Sequence, residues 1–230
     1  MTQEVHAALP AERRRVFIVD DHPIVRQGLA QMLNQEMDFL VCGEAEDAQH
    51  ALEAIAALQP DLVLVDLSLK GGSGLDLIRA LRARQSALPV LVVSMHDESL
   101  YVERVLRAGA RGYIMKQEAT DTMMYAIRRV LRGDIYVSDK MTTKLLGRFV
   151  FDSVAPSASA LERLSNRELE VLRLIGDGHN TRHIAAVLHV SIKTVESHRA
   201  HIKEKLQLKD TTALVRYAMQ WVDNGRLGSA

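Results

Sequence analysis

With 230 residues, 47% of them apolar and 25% charged, the chain has the profile of a soluble globular protein large enough for two domains. Lys+Arg and Asp+Glu balance at 29 each, no apolar run nears the length of a membrane span, and residues 1–14 lack the core of a signal peptide. The single cysteine, Cys42, excludes an intrachain disulfide and a thiolate metal cluster; it points to a reducing cytoplasm, with the thiol itself buried.

Residues 1–14 read as a disordered leader. Residues 16–19 (VFIV) form an apolar run without polar alternation, the pattern of a strand covered on both faces, and the run ends on Asp20-Asp21. Val25, Leu29, Met32 and Leu33 then share one helical face. A second strand is predicted over 39–42 and a helix over Ala48–Leu58, stopped by Pro60. Leu62–Val65 (LVLV) is a third strand, ending on Asp66. Gly71, Gly72 and Gly74 follow as a flexible turn into a helix marked by Leu75, Leu77, Ile78 and Leu81. A fourth strand ends on Ser94 and leads to a helix over 100–106. A fifth, Gly112–Met115, ends on Lys116 and leads to a helix over 122–131. Strands and helices alternating in this way predict a doubly wound α/β domain, with a five-stranded parallel sheet in the flavodoxin-like order 2-1-3-4-5.

That order puts the acid pair and Asp66 on neighbouring strand ends, with Ser94 and Lys116 along the same edge. Three carboxylates so close need a neutralising cation, and a hard divalent ion such as Mg²⁺ suits an all-oxygen set. The chain has no phosphate-binding glycine loop with its lysine, and no Ser or Cys nucleophile matched to a histidine base. What remains is phosphoryl transfer onto Asp66. In that chemistry Lys116 and the metal neutralise the phosphoryl oxygens, and Ser94 hydrogen-bonds one of them. His22, His96, Met123 and Met124 read as ordinary loop and packing residues, and Tyr113 from its spacing alone is as readily a half-buried strand aromatic.

Asp20-Asp21, Asp66, Ser94 and Lys116, with Tyr113 three residues before the lysine, resemble the receiver domain of a bacterial two-component response regulator. The resemblance covers roughly Arg13 to Gly133, and the receiver domain is placed at 15–134. It implies phosphorylation of Asp66 by a sensor histidine kinase, Mg²⁺ held by Asp20, Asp21, Asp66 and a backbone carbonyl at Ser68, and a switch formed by Ser94, Tyr113 and Lys116.

Residues 135–160 read as a linker containing a short helix over 138–149, capped by Ser138, followed by a Ser/Ala/Pro-rich stretch. From Leu161 onward there are 11 Lys+Arg against 8 Asp+Glu, a sign that suits an anion-binding domain. Four helices are predicted. The first carries the capping box Ser165/Glu168 and the staple Leu164/Leu169, the second is capped by Asn180, and a tight turn at His189-Val190 leads to a third capped by Ser191. The fourth covers 213–221. In the third helix Ile192, Val195, Ile202 and Leu206 phase together as core. Lys193, Ser197 and Ala200 lie opposite, edged by Glu196 and His201, as a short-side-chain face that a major groove can admit. Thr194 joins Lys193 as a candidate DNA contact, and Arg199 carries phosphate-contact and structural readings equally.

The run LSNRELEVLRLI…TRHIAAVLHVSIKTVESHRAHIKEKL resembles the LuxR-type helix-turn-helix from Leu161 to about Met219, in a domain placed at 161–230. With the receiver, it is similar to the NarL/FixJ class. The resemblance implies a cytoplasmic transcription regulator rather than an enzyme, with operator DNA, the kinase, a homodimer on phosphorylation and RNA polymerase as candidate partners, and no membrane. Two other readings stand beside it: a helix-turn-helix regulator with a phosphorylation-independent receiver, and a metal-dependent phosphohydrolase with Asp66 as nucleophile.

Overall fold

The computed structural model describes residues 13–70, 72–85, 87–151, 160–188 and 190–227. The chain divides into two compact units, Met1–Ser153 and Val154–Ala230.

In the first unit β1 (Arg14–Val19), α1 (Pro23–Gln35), β2 (Phe39–Ala45), α2 (Ala48–Leu58) and β3 (Leu62–Val65) follow in order. A two-strand hairpin comes next, β4 (Ser68–Leu69) with β5 (Gly72–Ser73), then α3 (Gly74–Arg84), β6 (Val90–Ser94), α4 (Glu98–Ala108), β7 (Gly112–Met115), α5 (Thr120–Leu131) and α6 (Asp139–Phe151). The main sheet has the order β2-β1-β3-β6-β7 with every pairing parallel. Counting only its own strands, that is the predicted 2-1-3-4-5.

Parallel strands covered on both faces must be apolar at every position, and Val16 to Val19, Leu62 to Val65 and Val90 to Val93 are all buried. Val16, Ile18, Leu62, Leu64, Leu91, Val93 and Ile114 pack with Leu33 of α1 and with Met123, Met124 and Ile127 of α5. Phe17, one residue out of phase, faces the other way, where Gly43 leaves room: a Cβ there would lie 2.6 Å from the Phe17 ring. Each of these side chains contributes about 1.5–3 kcal/mol by its burial. Truncating one such as Leu64 to alanine costs about 2–5 kcal/mol.

Several boundaries differ from the predicted ones. β1 begins at Arg14, whose N–H donates to Asp38 O at 2.8 Å, so the strand takes in the end of the expected leader; residues 1–12 lie outside the described residues. Cys42 is half-buried rather than buried, because β2 carries an extra residue there: Val16 pairs with Val41 but Phe17 with Gly43. Of the expected glycine turn, Gly72 lies in β5, Gly74 opens α3 and Gly71 lies outside the described residues; Gly74 is required by close approach, since a Cβ would meet Asp66 O at 2.0 Å. α4 and α5 each start two residues early, α4 on the N-cap Asp97. The segment read as linker divides. Tyr136 bridges to Gly112 as an added edge of the sheet, and α6 packs on α4, so the first unit runs to Ser153. Residues 152–159 lie outside the described residues.

The second unit opens with a 3-10 turn (Ala160–Arg163), then α7 (Asn166–Gly176), α8 (Thr181–Val187), α9 (Ile192–Lys205) and α10 (Thr211–Leu227). The capping box is present: Ser165 Oγ accepts the Glu168 N–H, and Glu168 Oε2 accepts the Ser165 N–H at 2.7 Å. Leu164, Leu169, Leu172, Ile175, Ile184, Val195, Ile202 and Leu214 form the core. Gly176 lets α7 and α10 touch, because a Cβ would stand 2.5 Å from Ala218 O. α10 is longer than expected at both ends. Ile192 is 44% exposed and not core: it is the first residue of α9, and the apolar interior ends before that turn. His189, half of the expected tight turn, lies outside the described residues. Among the described residues no helix is long and apolar enough to cross a membrane.

Candidate functional site

Because the sheet is parallel, the carboxyl ends of β1, β3, β6 and β7 share one edge, and residues distant in sequence converge there. Asp20, Asp66 and Ser94 are buried, and Lys116 follows β7 with its side chain 7% exposed. Lys116 Nζ lies 2.6 Å from Asp20 Oδ2 and donates to Asp66 Oδ2 at 2.7 Å. Burial pushes the Asp66 carboxyl above its ordinary range, and Lys116 offsets only part of this because Asp20 adds a second negative charge. Burial pulls the Lys116 ammonium down, but Asp66 and Asp20 outweigh it and the group is held above its ordinary range, firmly charged.

One ammonium between two buried carboxylates leaves negative charge uncompensated. Asp66 Oδ1 is buried and, among the described residues, has no hydrogen-bond partner. Ligand atoms of Asp20, Asp21, His22 and Asp66 all lie within 4.8 Å of one another. A hard divalent cation fits this set: it would satisfy the orphaned oxygen and draw on carboxylates. The loop residue His22 sits beside this set: its ring Nδ1 lies 2.7 Å from Asp21 Oδ1 and its N–H donates to Asp20 Oδ1 at 2.9 Å. Mg²⁺ prefers oxygen, so the carboxylates of this set suit it better than the His22 ring.

Ser94, Tyr113 and His96 form the other wall. Ser94 Oγ accepts the His96 N–H at 3.3 Å, Tyr113 OH donates to His96 O at 2.7 Å, and His96 Nε2 lies 2.8 Å from Ser68 Oγ. Tyr113 is fully buried, its ring turned inward, and that burial pushes its phenol far above the ordinary range. The structure therefore brings Asp20, Asp21, Asp66, Ser68, Ser94, Tyr113 and Lys116 to one edge and adds His22 and His96. Each of these histidines lies within two residues of a strand-end polar group (Asp20, Ser94). That spacing was the available signal.

In the second unit Lys193, Glu196, Ser197, Ala200 and His201 are exposed along α9. Thr194 is half-buried at the cap, its Oγ1 2.8 Å from Ser191 Oγ. Arg199 is turned toward α8, where Nη1 donates to Thr181 Oγ1 at 3.4 Å. Glu168 ties the far end of α9 to α7, receiving Lys205 Nζ at 2.7 Å.

A parallel sheet with an acid–lysine–hydroxyl edge, carried on one chain with a helix-turn-helix, defines a DNA-binding two-component response regulator. Residues 16–128 match the response regulator receiver domain and residues 162–218 the luxR family of bacterial regulatory proteins. The chain belongs to the LuxR-type response regulators of the NarL/FixJ class. It is 39% identical over 210 residues to the oxygen regulatory protein NreC of Staphylococcus aureus, covering 90% of this chain and 97% of NreC. It is also similar to RcsB of Salmonella enterica serovar Typhimurium bound to promoter rprA in the presence of the phosphomimetic BeF3− (29% identity, TM-score 0.57, 90% of this chain and 99% of that one). A further RcsB structure, two dimers bound to two parallel DNAs, matches at 30% identity and TM-score 0.54 over 90% of this chain and 98% of that one.

Proposed function

We propose that this response regulator is switched by phosphorylation of Asp66, received from a sensor histidine kinase, and that the phosphorylated form binds operator DNA through α9 as a homodimer. The carrying observation is the Lys116 ammonium held between Asp20 and Asp66 while Asp66 Oδ1 stays buried and, among the described residues, without a hydrogen-bond partner.

In the reaction an Asp66 carboxylate oxygen attacks the phosphorus of a phosphohistidine. The P–O bond forms as the P–N bond breaks, and the imidazole leaves with the bonding pair. Lys116 then donates to a phosphoryl oxygen and the Ser94 hydroxyl to another. Mg²⁺, held by Asp20, Asp21, Asp66 and the Ser68 main-chain carbonyl, would neutralise phosphoryl charge when bound. Once Ser94 turns to the phosphoryl group, His96 loses its N–H partner, and the Tyr113 hydroxyl bonded to His96 O is free to repack; a local charge event thereby biases a two-state domain. On DNA, Glu196, Ser197 and Ala200 face the base edges, with Lys193, Thr194 and His201 beside the backbone. Arg199, bonded to Thr181, holds α8 against α9. RcsB on two DNAs as dimers supports a paired arrangement, and RNA polymerase is a candidate partner at the promoter.

Incubation with a small phosphodonor and Mg²⁺, followed by mass spectrometry, should show one added phosphoryl group, absent in Asp66→Asn and with chelator. The labelled chain should gain operator affinity and shift from monomer to dimer in light scattering. Label persisting in Asp66→Asn would sink the acceptor assignment. Operator binding that is equally tight with and without label would instead establish a phosphorylation-independent receiver.

A further inference from the structure

The main chain of Asp20 leaves the sheet where its carbonyl runs out of strand partners. Val19 is the last residue of β1 in register, opposite Ala45 of β2 and Val65 of β3. The Asp20 N–H still donates to Ala45 O at 3.1 Å, after which the chain turns into α1. A carbonyl at that depth needs a donor. Arg26, one turn into α1, supplies it: Nη1 donates to Asp20 O at 2.6 Å. The guanidinium is anchored in turn, with Nε 3.4 Å from Glu44 Oε2 on β2 and the arginine side chain only 16% exposed. The Asp20 backbone is thus held at both its N–H and its C=O by the end of β2, directly or through Arg26. Its carboxylate meanwhile faces Lys116 and the His22 N–H.

We propose that Arg26 is a positioning residue for the divalent-cation site, acting through the Asp20 main chain with Glu44 as its anchor. The assignment rests on reading the acid cluster as that site. Groups outside a metal's ligands that orient them commonly contribute 10–100-fold to affinity, and Arg26 stands in that relation to Asp20. The sign of the effect separates positioning from plain electrostatics. Removing a positive charge beside a cation site strengthens cation binding by Coulomb's law, whereas loss of a positioning strut weakens it.

The test is isothermal titration of the full chain with Mg²⁺, with thermal unfolding in the absence of Mg²⁺ as the control for folding. Arg26→Met is expected to weaken Mg²⁺ binding about 10–100-fold. Arg26→Lys should recover part of the loss, because an ammonium can reach the carbonyl but cannot span it and Glu44 together. Glu44→Gln should fall between wild type and Arg26→Met, and the double variant should be no weaker than Arg26→Met alone. Unchanged or tighter Mg²⁺ binding in a folded Arg26→Met overturns the positioning role. If Arg26→Met does not fold, the charge-conserving Arg26→Lys decides, and unchanged affinity there overturns it equally. A wild-type chain that binds no Mg²⁺, or binds it undiminished as Asp66→Asn, overturns the cation-site reading first and the proposal with it.

Discussion

Glu98, in the first turn of α4, accepts the main-chain N–H of Ser138 at 2.8 Å, and Ser138 in turn caps α6, its Oγ receiving the Met141 N–H at 3.2 Å. The segment that follows Ser94 at the end of β6 and carries His96 is thereby joined to the last helix of the first unit. A second tie runs beside it: Tyr136 O accepts the Tyr113 N–H at 2.9 Å, and Tyr136 donates its own N–H to Arg111 O at 3.0 Å. α6 and the segment leading into it are therefore fastened to the two segments that carry Ser94 and Tyr113.

Glu98→Ala strands the Ser138 N–H, and the expected cost is about 1–3 kcal/mol. Glu98→Gln retains an acceptor and should cost less. Hydrogen exchange on the full chain provides the check: α6 amides should exchange faster in the alanine variant, while those of β1 and β3 keep their protection. Equal α6 protection in wild type and variant would show that the tie carries no weight.

Lys116→Met leaves two buried carboxylates facing each other without their cation. Breaking a buried charge pair from one side costs about 3–5 kcal/mol, so the variant should melt well below wild type at neutral pH. Asp66→Asn should move the other way. A carboxyl whose folded value is raised contributes stability below its unfolded value and loses it as pH rises through the folded one, so at neutral pH its charge is a burden. Thermal unfolding of both variants decides; a Lys116→Met melt equal to wild type would contradict the geometry.

Glu168 has the opposite sign. Burial pushes its carboxyl up, but Lys205 and the Ser165 N–H outweigh that and hold it below the ordinary glutamate range. Its contribution is present above the unfolded value and is lost as pH falls through the folded one. α7 and α9 amides, followed by NMR in the full chain, should therefore lose protection in acid, and Glu168→Gln should flatten that dependence. At neutral pH the same variant should weaken the link between α7 and α9 by about 1–3 kcal/mol.

Along α9, Glu196, Ser197 and Ala200 are expected to govern sequence preference, each good base contact being worth about 1–3 kcal/mol. Lys193→Ala should instead lower affinity for all sequences alike and flatten the salt dependence. Ile192→Ala should leave the fold nearly untouched because the residue is exposed, whereas Ile202→Ala should cost about 2–5 kcal/mol. Binding-site selection on a randomised operator tests the first expectation, and it fails if replacing Glu196, Ser197 and Ala200 together leaves the preferred sequence unchanged.

What the amino-acid sequence determined by itself is whatever rests on local pattern. Uninterrupted apolar runs mark doubly covered strands, so the sheet, its order and the polar residues ending each strand were legible from residues 16–19, Leu62–Val65 and their counterparts. The caps at Ser165, Asn180 and Ser191 are equally local, a side chain bonding a backbone three residues on. The tertiary structure alone decided whatever depends on which buried groups find partners across the sheet edge. It drew His22 into the acid pair, set His96 between Ser68 and Tyr113, and made Arg26 the donor for a carbonyl that had left its strand. It also exposed Ile192, whose helical phase was that of a core residue, because phase gives a direction but not where the interior ends. Position 136 shows no strand pattern, yet Tyr136 joins the sheet, since β7 has a free edge and its backbone N–H and C=O groups require partners.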